Sequence, residues 1–179
     1  MKLTLVTLSA LLVTALTLPA QQKRNSPHET VNTSVDGATI TVVYGRPFTK
    51  DPKTGETRKI WGGLVPFGKV WRTGADEATL LTADKALEIG GTTIPAGTYS
   101  LFTLPDENGA KLIINKQTGQ WGTKHDEKQD LARVDLKKNT LAEPAEQFTI
   151  SVEKTDGGGG ELKLAWENVS YSTPFSVQK

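Results

Sequence analysis

From Ser26 onward, apolar and polar residues alternate with a period near two, the mark of half-buried strands. Residues 30–35 and 39–44 flank Asp36-Gly37, a dipeptide suited to the left-handed conformations of a type I′ hairpin turn. Short strands are expected over 78–82, 86–89, 92–94, 98–104 and 111–115, with Gly90-Gly91, Pro95-Ala96-Gly97 and Asp106-Glu107-Asn108-Gly109 as turns. Further strands are expected over 131–136, 148–152, 162–166 and 169–173, with Gly157 to Gly160 as a flexible loop. No long stretch carries a capped helical stripe. The pattern predicts an all-β fold, a single antiparallel β-sandwich (jelly-roll or immunoglobulin-like) of about eight to ten strands.

Two segments break this rhythm. Residues 46–74 are punctuated by prolines and glycines, and loops of that length in compact domains are often functional. This long irregular loop carries Trp61, Phe67 and Trp71, so it is expected to pack against the sandwich. The second segment, 116–130, holds Trp121 and His125 among polar residues.

The chain has 179 residues, and its first twenty have the order of a secretory signal: Met1-Lys2, an apolar run from Leu3 to Leu18, then Pro19-Ala20 before polar Gln21-Gln22-Lys23-Arg24. The apolar run falls short of the roughly 20 residues needed to span a bilayer. Cleavage after Ala20 is expected, leaving a tail over 21–29 and one domain over 30–179. The protein is then exported, periplasmic or extracellular, with no membrane span after cleavage. Lys+Arg number 21 against 20 Asp+Glu, and Lys2 is the one charge in the leader, so the remainder is neutral. That argues against a nucleic-acid partner, which calls for a basic excess. With no cysteine, disulfides, thiolate metal sites and cysteine nucleophiles are all excluded.

Candidate chemistry gathers in the long loop. Of the five arginines, Arg46, Arg58 and Arg72 lie there, beside Tyr44, Trp61 and Trp71. A guanidinium grips carboxylates and phosphates through two parallel hydrogen bonds and stacks on aromatic faces. Tyr44, Arg46, Arg58, Trp61, Trp71, Arg72, Glu77 and Trp121 are therefore candidate ligand-binding residues for a small anionic or sugar-like molecule, a glycan or an envelope protein. Equally, the arginines can pair with Asp76 and Glu77 to pin the loop. Asp76 and Glu77 are adjacent, and on a strand they would face opposite ways, so they are not expected to cooperate.

The two histidines, His28 and His125, rule out a three-histidine metal site, and no Gly-x-Ser-x-Gly or Ser-x-x-Lys motif is present. No catalytic residue, metal or cofactor is assigned. A non-enzymatic binding module leads. A hydrolase or isomerase using Glu77 or His28, and an envelope-associated assembly protein of unknown oligomeric state, remain open beside it.

Several runs are distinctive: Ser26-Pro27-His28, Tyr44-Gly45-Arg46-Pro47, the stretch from Trp61 to Thr79, Ile94 to Phe102 and Glu146 to Ile150. Together they closely resemble a secreted bacterial family known as domain of unknown function 2911. The resemblance covers essentially the whole chain after the leader. It implies a small all-β exported domain and carries no activity or catalytic residue. Asp76 departs from the Asn expected at that position in relatives, and residues 49–57 look like an insertion that lengthens the loop.

Overall fold

A computed structural model describes residues 24–178; the expected leader and residues 21–23 lie outside them. Nine strands follow one another: β1 (His28–Val35), β2 (Ala38–Gly45), β3 (Thr79–Ala83), β4 (Leu87–Ile89), β5 (Thr92–Ile94), β6 (Gly97–Pro105), β7 (Ala110–Asn115), β8 (Asp130–Lys154) and β9 (Gly160–Val177). The one helical element among the described residues is a single 3₁₀ turn, Glu127–Gln129, capped by the Asp126 side chain. All strand pairs are antiparallel, in the order β1-β2-β3-β6-β7-β8-β9-β4-β5. Sequence neighbours pair except at the β4–β5 hairpin, which crosses over to join the edge of β9. The expected turn at Asp36-Gly37 forms, with φ of 47° and 76°.

The long strands make the sandwich. Residues 130–136 of β8 pair with β7, while residues 137–154 pair with β9. The alternation pattern breaks between 136 and 148, and the separate strands expected there are one strand. Its register slips between Thr140 and Ala145 and again between Ala145 and Thr149, so pairing continues through an irregular stretch that interrupts the pattern. β9 likewise joins 162–166 to 169–173 across Glu167, which takes a positive φ of 56°. These irregularities let one continuous sheet turn over on itself, so that β8 packs against β1. Ile40, Val42, Leu81, Leu101, Leu112, Val134, Ile150, Leu164 and Trp166 are all buried in one core between the layers.

Turning over leaves the far edge of β8 with unpaired backbone groups, and the start of the chain satisfies them. The Phe148 amide donates to the Pro47 carbonyl at 2.9 Å. Arg46 Nε donates to the Phe148 carbonyl at 3.1 Å, the Ile150 amide to the Tyr44 hydroxyl at 2.9 Å, and Thr33 Oγ1 to the Val152 carbonyl at 3.2 Å. Buried backbone groups need such partners, and an exposed edge would invite pairing with another chain. The loop over 46–74 packs as expected: Ile60 and Val65 are fully buried, and Trp61 donates through Nε1 to the Trp166 carbonyl at 3.1 Å.

Candidate functional site

The loop rejoins the sheet at Trp71, whose amide and carbonyl both bond Thr103 on β6, at 2.7 and 2.9 Å. That anchor fixes the side chains of Trp71 and Arg72. Trp71 stacks on Trp166 (centroids 5.7 Å apart, planes 21° apart) and meets the Phe148 ring edge-on at 5.0 Å. Arg72 runs in the other direction, across Gly122. A Cβ at Gly122 would lie 2.7 Å from Arg72 Cδ and 2.8 Å from the Asp76 carbonyl, so the bare glycine backbone makes room for the stem.

Between the loop and the 116–130 segment lies a cleft of about 770 Å³, bounded by Arg58, Trp71, Arg72, Asp76, Phe102 and His125, with Trp166 also in its lining. Arg72 is partly buried and has no hydrogen-bond or ion-pair partner among the described residues. Arg58 is more committed: it donates to the carbonyls of Phe48 and Thr49, and its Nη1 lies 4.0 Å from Asp51.

His125 faces the same cleft and is not the solvated loop residue its polar surroundings suggest. Its ring lies 4.7 Å from that of fully buried Phe102, and Nε2 is 2.8 Å from Asp130 Oδ1. Asp130 also accepts from Asn115 Nδ2 at 2.7 Å and from Arg133 Nε and Nη2 at 2.9 and 2.6 Å. Burial pushes the Asp130 carboxyl upward, but the hydrogen bonds from Asn115, His125 and Arg133 outweigh it and hold the group below the usual range. A partly buried carboxylate bonded to Nε2 in this way orients the imidazole ring and leaves the other ring nitrogen, Nδ1, for other contacts. The sequence offered no motif for this pair: the partners are five residues apart on irregular chain, and only β8 pairing with β7 sets Asp130 beside Asn115.

A second polar group stands at the rim. Asp76 takes a positive φ of 65°, and the adjacent carboxylates of Asp76 and Glu77 converge on His28, contrary to the strand-based expectation. His28 Nε2 lies 3.3 Å from Asp76 Oδ2 and 3.5 Å from Glu77 Oε2. Arg24 clamps Glu77 with two bonds, at 2.7 and 2.8 Å. Burial acts to raise the Glu77 carboxyl, but its own backbone amide, the Arg24 hydrogen bond and the charges of Arg24 and His28 leave it lowered.

Of the eight candidate binding residues, Arg58, Trp71 and Arg72 line the cleft together. The other five lie elsewhere. Tyr44 is buried under β8, and Arg46 engages Glu29, Phe148 and Thr149. Trp61 is buried in the aromatic cluster, Glu77 is held by Arg24, and Trp121 is about half exposed outside the cleft.

The family model described as "Protein of unknown function (DUF2911)" matches residues 26–175. The chain belongs to the DUF2911 family. No curated protein and no solved structure matches it. The match spans all nine strands up to Phe175, and with them every residue of the cleft named above. Family membership brings no activity with it, so function rests on the site. No helix among the described residues is long and apolar enough to cross a membrane.

Proposed function

We propose that this DUF2911 protein is an exported binding protein whose cleft takes a small anionic ligand, a carboxylate or a phosphate, on Arg72. The observation that carries the reading is Arg72 itself: a guanidinium partly buried in a cleft, with no partner among the described residues. A guanidinium with uncommitted donors in a cleft can take an anion in a bidentate grip. Trp71 beside it supplies a flat apolar wall, as ligand sites commonly combine apolar lining with a few placed polar groups. Lys53 and Arg58 in the lining add positive charge against Asp51 and Asp76. The leader pattern over residues 1–20 supports export.

The test is a thermal-shift panel of mono- and dicarboxylates, phosphates, sugars and peptides on the purified protein. A ligand at a hundred times its dissociation constant raises stability by about 2.7 kcal/mol, a shift of several degrees. An anionic hit that Arg72→Ala removes supports the reading. Hits confined to neutral sugars or peptides would refute it.

One observation favours a second, enzymatic reading: His125, bonded to Asp130, lines the same cleft. An oriented imidazole is the usual general base. On that reading the proton acceptor is His125 rather than Glu77 or His28, and turnover of the identified ligand, abolished by His125→Ala, would establish it.

A further inference from the structure

We propose that His28, Asp76 and Glu77 form a binding site for a divalent transition ion, Zn²⁺ or Mn²⁺, that the Arg24 guanidinium occupies in the metal-free chain. Two independent observations carry it. The first is ligand geometry. Zinc bonds of about 2.1 Å in a tetrahedral site place ligand atoms ~3.4 Å apart. His28 Nε2 lies 3.3 Å from Asp76 Oδ2 and 3.5 Å from Glu77 Oε2, and all three ligand atoms fall within 4.8 Å of one another.

The second observation is the cation already there. Arg24 Nη1 is 2.6 Å from His28 Nε2 and 2.7 Å from Glu77 Oε2. The same Nη1 is 3.0 Å from His28 Nδ1, so the guanidinium lies over the imidazole rather than along either ring lone pair. An imidazole and two carboxylates converge, and the Arg24 charge lies among them. The chain supplies that charge from an exposed arginine just outside the first strand, a ligand that a metal can displace.

Donor chemistry narrows the ion. One imidazole nitrogen with two carboxylates suits Zn²⁺ or Mn²⁺, whereas Ca²⁺ takes six to eight oxygen ligands. Three protein ligands leave room for water or a bound molecule, and Asp76 also borders the cleft.

Isothermal titration of EDTA-stripped protein with ZnCl₂ and MnCl₂ tests this. The expected result is one ion bound per chain, with affinity lowered at least tenfold in His28→Ala and in Glu77→Gln. Arg24→Ala removes the competing guanidinium, an exposed pair of modest strength, and should tighten binding by up to about fivefold. Mn²⁺ should broaden the His28 ring resonances more strongly than those of His125. Failure of both wild type and Arg24→Ala to bind either ion would overturn the proposal. So would binding that His125→Ala abolishes and His28→Ala leaves intact. Circular dichroism of each variant separates lost ligation from lost folding, and Glu77→Gln, a near-isosteric change at a partly exposed side chain, keeps the test open if His28→Ala fails to fold.

Discussion

Tyr44 and Tyr171 are both buried tyrosines, yet removing their hydroxyls should have opposite consequences. The Tyr44 hydroxyl accepts from the Ile150 amide at 2.9 Å on the edge of β8 away from β9. Tyr44→Phe keeps the ring, including its edge-on contact with Phe148 at 5.8 Å, and orphans that buried amide. An unsatisfied buried donor costs about 1–3 kcal/mol. For a domain this size each kcal/mol lowers the melting temperature by about 2–4 °C, so Tyr44→Phe should melt roughly 2–12 °C lower. The Tyr171 hydroxyl is buried with no protein partner among the described residues, and burial, helped by the charge of Asp106, pushes its phenol up to about 12. Tyr171→Phe removes a desolvated polar group and should change stability by no more than about 0.5 kcal/mol, or raise it. Urea denaturation read by tryptophan fluorescence gives both values. Equal destabilisation by the two variants would refute the view that Tyr44 closes the β8 edge, and with it the structural role assigned to the Tyr44–Arg46 strip.

Other consequences follow from the same geometry. Asp130 is titrated below its unfolded value, so its stabilisation is present above the ordinary carboxylate range and is lost as pH falls through the lowered value. The stability gap between wild type and Asp130→Asn should therefore be large at pH 7 and shrink by pH 3 in paired denaturation curves; a gap independent of pH would contradict the hydrogen-bonding account. Gly122→Ala places a methyl against Arg72 and the Asp76 carbonyl, and such overpacking costs about 1–3 kcal/mol. Calorimetric melting should show that loss, and a wild-type melting curve would mean Arg72 does not lie across Gly122.

The all-β fold was legible because strand burial leaves a period of two, and the Asp36-Gly37 turn because few residues accept positive φ. The turn-over of the sheet was not. It depends on irregular pairing between 140 and 149, which scrambles the alternation from which strands are read. The loop's importance was visible in its arginines and tryptophans, but not the direction of each side chain. Arg46 and Arg72 look alike in sequence, yet one closes a strand edge and the other faces a cleft, because Arg46 directly follows β2 opposite β8 while Arg72 follows the Trp71–Thr103 anchor. Adjacent Asp76 and Glu77 were expected to diverge as strand residues do. A left-handed turn at Asp76 brings them together instead. His125 looked like surface until pairing of β7 with β8 supplied Asp130.

The measurement that bears most directly on the binding reading is calorimetric titration of the best anionic ligand from the panel into wild type, Arg72→Lys and Arg72→Ala. A charged hydrogen-bonded contact contributes about 1.5–3 kcal/mol, so Arg72→Ala should weaken binding roughly ten- to a hundredfold. Arg72→Lys keeps the charge without the planar fork and should fall between the two. Undiminished affinity in Arg72→Ala, with the fold intact, would show that the cleft cation does not hold the ligand.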